Sequence, residues 1–276
     1  ESALAQKQAA KPVVWDWHKL ASFPKRQTTL DKHAQVASMS QEHIDVIAKE
    51  YLPLRCPEDG HKIAAVLQRV WESYPTSLRV KELFETIETF VVMAREVKLN
   101  QAKIDKIFDL ACGHGLLGVL LAFRFPSMEV ICCDFKRRPC FEHYLDAFRK
   151  TVDHHLNNVS FVEGDMAGIK IPPRSFVGCI HACNEANITA IEMANSANAG
   201  FAVMPCCIRN GLYSVNSIHN FENDDIRHSL LVGVMAGQYN AHTLVAIDRG
   251  ITNRNWIIFG GYRSLDSQNL KSVSAN

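Results

Sequence analysis

The sequence lacks a membrane-spanning run, a signal-peptide core and an excess of charge. A membrane span needs about 20 consecutive apolar residues, whereas the apolar runs here are strand-length or are interrupted by glycine and charge. The 30 basic and 29 acidic residues leave a net charge of +1, so no global field draws the chain to nucleic acid or to a membrane surface. These absences predict a soluble protein with no membrane partner.

The cysteines lack the spacing of a structural zinc site, because no Cys-x-x-Cys pair occurs. The sequence therefore predicts no metal site. Nine cysteines are an odd number, and Cys132 and Cys133 lie in an apolar run, which predicts unpaired thiols in the cytoplasm or another reducing compartment. The chain begins at Glu1 without Met, so a targeting segment that has been removed is an open alternative.

The spacing of the apolar residues changes near residue 100. Before it they recur at helical spacing, most clearly over 78–97, which predicts a helical extension or lid over residues 1–100. After it, short apolar strands alternate with helices, which is typical of an α/β fold with a doubly wound, mostly parallel sheet. We predict seven strands, the last two forming a C-terminal antiparallel hairpin, at residues 106–110, 129–134, 159–162, 175–181, 200–204, 243–247 and 256–259.

A glycine-rich loop, Gly113-x-Gly115-x-x-Gly118, follows the first of these strands and opens a helix. Glycines at this place let the backbone approach a ligand and turn tightly into the helix. The spacing fits a nicotinamide dinucleotide site as well as a methyl-donor site. An NAD-dependent oxidoreductase is therefore one interpretation of the loop.

Three carboxylates at predicted strand ends favour the methyl donor S-adenosylmethionine. Asp109 lies four residues before Gly113, where a carboxylate suits an ammonium group and would be a poor neighbour for a pyrophosphate. Asp134 ends the next strand and can accept both ribose hydroxyls, and Asp165 beside Met166 suits the adenine. Each acid could instead cap a turn or a helix. We expect the cofactor to bind these residues together with Ala111, Cys112, Gly113, Gly115 and Phe135.

Two later segments resemble a known methyltransferase family. His181-Ala-Cys183-Asn184-Glu185 and Pro205-Cys206-Cys207 are similar to the His-Ala-Cys strand end and the Pro-Cys-Cys segment of a class I family that includes eukaryotic tRNA 2′-O-methyltransferases. The resemblance extends over residues 100–263. It implies a Rossmann-like methyltransferase domain, here residues 101–276, with S-adenosylmethionine as its cofactor.

The His181–Glu185 segment lies where an acceptor would meet the sulfonium of the cofactor. His181 is a candidate general base near neutral pH and a candidate cofactor contact. Glu185 is a candidate partner for the acceptor through a hydrogen bond or an amine. The structural alternatives are a buried histidine that orients the loop and a glutamate in the first turn of a helix.

The resemblance implies RNA, tRNA included, as the acceptor, but several alternatives are open. The near-neutral charge also suits a small metabolite enclosed under the helical layer, and a cofactor-binding partner subunit without catalysis is a third interpretation. The basic residues that could contact RNA phosphates, unless they are only solvated surface charge, are Lys25, Arg26, Lys136, Arg137, Arg138, Arg249, Arg254 and Arg263. The sequence does not indicate an oligomeric state.

Overall fold

The computed structural model describes residues 15–182, 185–207 and 222–262. The described residues that precede the sheet form a helical layer. The helix at 41 begins where Ser40 accepts a hydrogen bond from the backbone N–H of His43, an N-cap that satisfies one of the first free N–H groups. The elements are β1 (Lys25–Arg26), β2 (Thr29–Leu30), α1 (Gln41–Asp45), a π-helical segment (Val46–Tyr51), α2 (Leu52–Arg55), α3 (Gly60–Ser73) and α4 (Val80–Leu99).

A seven-stranded sheet follows this layer, as the sequence predicts. Its strands are β3 (Lys106–Leu110), β4 (Glu129–Asp134), β5 (Val159–Glu163), β6 (Ser175–Ile180), β7 (Gly200–Met204), β8 (Thr243–Ala246) and β9 (Trp256–Gly261). The spatial order is β5-β4-β3-β6-β7-β9-β8. The first five strands pair in parallel, whereas β9 pairs antiparallel with both β7 and β8. The predicted C-terminal hairpin is confirmed.

Helices cover both faces of the sheet, which confirms the doubly wound fold. On one face α4 packs with α5 (Leu116–Arg124) and α6 (Pro139–Val152), and on the other lie α7 (Ala186–Ser196) and α8 (Asp224–Gln238). The core of the first face is continuous from Trp15 through α4 to Phe259. The helical layer and the sheet therefore share one hydrophobic core.

Helix α8 has no counterpart in the sequence prediction. It buries only a few of its fifteen residues, His228, Leu231, Val232 and Met235, so its apolar period is weak. A start signal is nevertheless present, because the Asn223 side chain accepts hydrogen bonds from two backbone N–H groups of the first turn.

Among the residues that the structure describes, no helix combines the length and the apolarity that crossing a bilayer requires. Within the same residues, the cysteines form no disulfide.

Candidate cofactor and active site

A cavity opens at the carboxyl edge of the sheet between β3 and β6. The chain runs outward from β3 to β4 and β5, then returns to β6 on the other side of β3, so this is the topological switch point where open α/β sheets bind ligands. The cavity has a volume of about 240 Å³. Its walls are Glu82, Glu85, Thr86, Thr89, Asp109, Ala111, Cys112, Gly113, His114, Leu117, Arg138, Ile180 and His181.

The glycine loop has the backbone that its sequence predicts. Gly115 has φ +77°, and a Cβ there would lie 2.6 Å from Cδ2 of Phe141. Gly118 lies in the first turn of α5, and a Cβ there would lie 2.3 Å from Sγ of Cys132 and 3.2 Å from Oδ2 of Asp109. Hydrogen at these two positions therefore lets α5 begin directly against the ends of β3 and β4.

Asp109 is buried at the end of β3 and faces this cavity. Its Oδ2 accepts a hydrogen bond from the backbone N–H of Gly118 at 3.0 Å. Burial raises the pKa of this carboxyl to about 7, the nearby Asp134 adds to the increase, and the Gly118 hydrogen bond opposes it. A buried acid of this kind would be stabilised in its charged form by a cationic ligand group.

Two thiols lie next to Asp109. Ligand atoms of Asp109, Cys112 and Cys132 lie within 4.8 Å of one another. Contact with Cys132, followed by burial, raises the pKa of the Cys112 thiol, so this thiol is protonated at neutral pH. The three residues come from β3, the loop and β4, so no Cys-x-x-Cys motif in the sequence indicates that they meet.

Asp134 is tied to the glycine loop. Its Oδ2 accepts a hydrogen bond from the backbone N–H of Gly113 at 2.8 Å, which joins the end of β4 to the loop after β3. The next residue, Phe135, has 74% of its surface exposed. An exposed aromatic ring beside a carboxylate at a strand end offers a flat apolar surface to a ligand.

Asp165 and Met166 follow β5 and lie outside the walls of the cavity. The Asp165 side chain accepts a hydrogen bond from the backbone N–H of Ala167 at 2.9 Å and so caps the short 3-10 helix Met166–Gly168. Met166 is buried in the core of the second sheet face. This capping is the structural alternative that the sequence left open for Asp165, although one carboxylate oxygen does not take part in it.

His181 follows β6 in a left-handed conformation, with φ +53°. The backbone N–H of His181 donates to the carbonyl of Met204 at 3.0 Å, and its carbonyl accepts from the thiol of Cys206 at 3.3 Å. Its Nε2 lies 3.3 Å from Oε1 of Glu85. Burial lowers the pKa of His181, Glu85 raises it and Lys81 lowers it.

Glu185 is exposed at the N-terminal end of α7 and is not a wall of the cavity. Its side chain makes no capping hydrogen bond in that helix. The structure thus brings Asp109, Ala111, Cys112, Gly113 and His181 together, with Asp134 one hydrogen bond away. Cys183, Asn184 and Arg263, which the sequence analysis also names, lie outside the described residues.

The sequence prediction missed the wall that α4 contributes. Four polar residues of this helix line the cavity at i, i+3, i+4 and i+7 spacing, which places them on one face of the helix: Glu82, Glu85, Thr86 and Thr89. A polar stripe within a mostly buried helix was the available signal. His114 and Arg138 were also missed as cavity walls, and only their proximity to the glycine loop and to Asp134 would have suggested them.

A second cavity, of about 470 Å³, lies at the same edge of the sheet, where β8 ends and β9 begins. Trp17 and Trp256 line it, and so do Arg55 and the buried Glu88, which form an ion pair with each other. Tyr51 donates a further hydrogen bond to Glu88 at 2.8 Å. Both cavities therefore border α4, through Glu85 and through Glu88.

Three of the basic residues after β4 and β8 have partners within the chain. Arg137 pairs with Glu142, and Arg249 pairs with Asp225. Arg254 donates to the backbone carbonyl of Asp224 at 3.0 Å. An RNA phosphate would have to replace or share these contacts.

Comparison with known proteins identifies the kind of domain. Residues 78–212 match the family model described as "Methyltransferase domain". This range begins just before α4 and includes β3 to β7, the glycine loop and His181. The chain therefore contains a class I, Rossmann-like methyltransferase domain, an enzyme class that uses S-adenosylmethionine.

The curated relatives are longer proteins. The chain is 26% identical over 168 residues to the glutathione S-transferase C-terminal domain-containing protein of Mus musculus, covering 56% of this chain and 24% of that protein. It is 31% identical over 146 residues to the Xenopus laevis protein of the same name, covering 50% and 23%. The chain thus spans about a quarter of the length of these relatives.

Solved methyltransferases overlap with part of the chain. A SAM dependent methyltransferase from Aquifex aeolicus is 14% identical, covers 60% of this chain and 87% of its own, and superposes with a TM-score of 0.36.

Proposed function

We propose that this protein transfers the methyl group of S-adenosylmethionine to an acceptor that approaches His181 at the end of β6. The observation that carries the proposal is the meeting of Asp109, Gly113 and His181 in one cavity at the switch point of the sheet. The walls of this one cavity combine three features: Asp109 as an acid for the cofactor ammonium, the backbone of Gly113 that a ligand can approach, and His181 as a candidate base.

The cofactor would extend from this cavity onto the neighbouring surface. A volume of about 240 Å³ is below the roughly 300 Å³ at which pockets for whole ligands begin, so the cavity suits the methionine part. The ribose hydroxyls would bind Asp134, and the adenine would lie against Phe135, with Asp165 and Met166 beyond it. Phe135 supports this placement because its ring is exposed.

The chemistry is an in-line displacement. The acceptor atom forms a bond to the methyl carbon while the carbon–sulfur bond breaks, its electron pair neutralises the sulfonium, and S-adenosylhomocysteine leaves. Where the acceptor carries a proton, His181 takes it, since a lowered pKa keeps this imidazole neutral at pH 7. Glu185 would contact the acceptor from the start of α7. Alignment of the two reactants supplies most of the acceleration.

The proposed acceptor is RNA, tRNA included. The resemblance of His181–Glu185 and Pro205–Cys207 to the tRNA 2′-O-methyltransferase family supports it, and Lys136, Arg138 and Arg249 would contact phosphates. These cations lie on the loops after β4 and β8, at the edge of the sheet that carries the cavity.

A small metabolite is the second candidate, and two observations favour it. Arg137, Arg249 and Arg254 already have acidic or carbonyl partners, which reduces the charge available for phosphates. The second cavity, with Trp17 and Trp256 in its walls, is large enough for a small planar molecule.

Transfer of a labelled methyl group to fractionated cell extract tests the proposal. Extract separated into RNA, protein and metabolites is incubated with labelled S-adenosylmethionine and either the wild-type protein or the His181→Ala variant. Label in RNA that ribonuclease removes supports the first candidate, and label in the metabolite fraction supports the second. No wild-type label in any fraction, together with tight binding of the cofactor, would instead indicate the non-catalytic partner subunit.

A further inference from the structure

We infer that Glu85 of α4 is a positioning residue for His181, holding one ring nitrogen and stabilising the imidazolium that forms when the other nitrogen takes the proton of the acceptor. The inference rests on the proposed function. It assigns a role to a helix outside the motif segments, in which the sequence analysis found no site residue.

The contact between Glu85 and His181 joins two buried atoms. Nε2 of His181 and Oε1 of Glu85 lie 3.3 Å apart, and neither atom is exposed to solvent. The Glu85 side chain is 12% exposed and that of His181 is 25% exposed. Apart from ion-pair contacts, neither atom has a hydrogen-bond partner within the described residues. Both atoms therefore point into the protein, and each could form further hydrogen bonds that the described residues do not supply.

The backbone at His181 is held in an uncommon conformation. A left-handed conformation costs a non-glycine residue roughly 1–2 kcal/mol, and two contacts offset that cost here. The N–H of His181 donates to Met204 and its carbonyl accepts from Cys206. These contacts fix the residue between β6 and β7, and its ring meets α4. Strain that the surrounding structure maintains is typical of functional sites.

Charged and titratable groups face His181 from several elements. Glu85 and Lys81 lie on α4, where Lys81 Nζ is 3.4 Å from Oε1 of Glu85. His228 on α8 interacts with His181 electrostatically. The cavity adds the titratable groups Glu82, Asp109, His114 and Arg138. Two groups on α4 shift the pKa of His181: Glu85 favours the protonated imidazole and Lys81 opposes it.

This arrangement divides the work between the two ring nitrogens. A carboxylate oxygen 3.3 Å from Nε2 favours the tautomer with its hydrogen on Nε2, which leaves the lone pair on Nδ1 to accept the proton of the acceptor. When Nδ1 is protonated, the positive charge is shared by the whole ring, whose Nε2 lies 3.3 Å from the Glu85 carboxylate. In this buried site of low dielectric the attraction is stronger than in water. Glu85 thus helps most after the proton has moved, which is when catalysis benefits.

An NMR titration of the histidine side chains tests the contact without any need for the acceptor. The His181 signal is assigned by its loss in the His181→Gln variant. Glu85→Gln removes the charge with little change in shape and should lower the pKa of His181 by roughly 1 unit, the size expected for an opposite charge within 4–6 Å. Lys81→Met should raise the same pKa.

Glu82→Gln is the matched control, because Glu82 lies on the same helix and lines the same cavity but is not among the groups that shift the pKa of His181. We expect no shift in this variant. If Glu85→Gln leaves the pKa of His181 where it is in the wild-type protein, or shifts it no more than Glu82→Gln does, the inference is overturned.

Kinetics then separates positioning from cofactor binding. Glu85→Gln should lower kcat about tenfold or more, the range in which general-base assistance operates, with the KM for S-adenosylmethionine unchanged, and Glu85→Asp should recover part of the loss. A raised KM with unchanged kcat would assign Glu85 to the cofactor and overturn the inference. Absence of all methyl transfer would refute the proposed function alone, because the NMR result still decides the contact.

Discussion

Asp109 and Gly118 are joined by a hydrogen bond of 3.0 Å from the backbone N–H at the start of α5 to the carboxylate at the end of β3. The bond places a buried acid where the partial positive charge of a helix N-terminus is strongest. Burial nevertheless dominates and raises the pKa of Asp109 to about 7. The unliganded protein therefore carries a carboxyl group that is only partly ionised at neutral pH.

The stability of the unliganded protein should depend on pH because of Asp109. The pKa of Asp109 rises from 3.8 in the unfolded chain to about 7 in the folded one, so its contribution is fully present below pH 4 and is lost as the pH rises to 7. At about 1.4 kcal/mol for each unit, the loss amounts to a few kcal/mol. We expect the free energy of unfolding of Asp109→Asn, measured in urea at pH 4.5, 6.0 and 7.5, to increase relative to that of the wild type as the pH rises.

Asp153→Asn is the control for that series, because Asp153 is exposed at the end of α6 in a left-handed conformation that asparagine also adopts. Comparison with the wild type removes the opposite contributions of His114, His181 and His228, whose pKa values burial lowers. If the difference in free energy of unfolding between Asp109→Asn and the wild type does not change with pH, the raised pKa of Asp109 is contradicted.

Cofactor affinity should depend on Asp134 and not on the other end of its strand. Asp134→Ala removes the acceptor of the Gly113 N–H and the proposed ribose contacts. Hydrogen bonds to charged groups contribute about 1.5–3 kcal/mol, so the affinity for S-adenosylhomocysteine should fall roughly 10- to 100-fold. Glu129→Gln, at the exposed start of β4 beside Lys106, should bind normally. Equal affinities in the two variants, measured by calorimetry, would remove Asp134 from the site.

The third glycine of the loop is required by packing. In Gly118→Ala the new methyl group would meet Sγ of Cys132 at 2.3 Å, and overpacking of this kind costs about 1–3 kcal/mol. The double variant Gly118→Ala with Cys132→Ala should recover much of the loss. Gly233→Ala in α8, where a Cβ meets nothing within 4 Å, should be neutral or stabilising. Chemical denaturation of the wild type, Gly118→Ala, Cys132→Ala, the double variant and Gly233→Ala checks this order, and a fully additive double variant would argue against the clash.

Local pattern in the sequence was sufficient for the sheet. The strands at 106–110, 129–134 and 200–204 have the predicted bounds, because each is a short apolar run between clear turn signals. Helix α8 was missed because two glycines and a polar first turn dilute its apolar period. The acids Asp109 and Asp134 could be placed because parallel strands end at one edge of a sheet.

Long-range contacts explain what the sequence did not reveal about the site. Glu85 meets His181 across 96 positions of sequence, and helical spacing shows only that Glu85 shares a face with Glu82 and Thr89. The polar residues of α4 recur at the same helical spacing as its apolar residues, so the apolar face conceals the polar one in the sequence. Glu185 is close to His181 in sequence, yet it lies exposed at the start of a helix.

The division into an extension over residues 1–100 and a domain over 101–276 stays a proposal, and the shared core predicts how the two parts behave. Arg124 at the end of α5 donates to both carboxylate oxygens of Asp59, before α3, at 2.5 and 2.6 Å. Arg124→Leu leaves Asp59 without this partner and should lower the melting temperature of the whole chain in a single calorimetric transition. Two separate transitions would show that the parts unfold independently.

Calorimetric titration of the purified chain with S-adenosylhomocysteine and, separately, with NAD tests the central claim most directly. The walls that Asp109, Gly113 and His181 form at the switch point predict saturable binding of S-adenosylhomocysteine at one site per chain, and no binding of NAD. Binding of NAD without binding of S-adenosylhomocysteine would contradict the account.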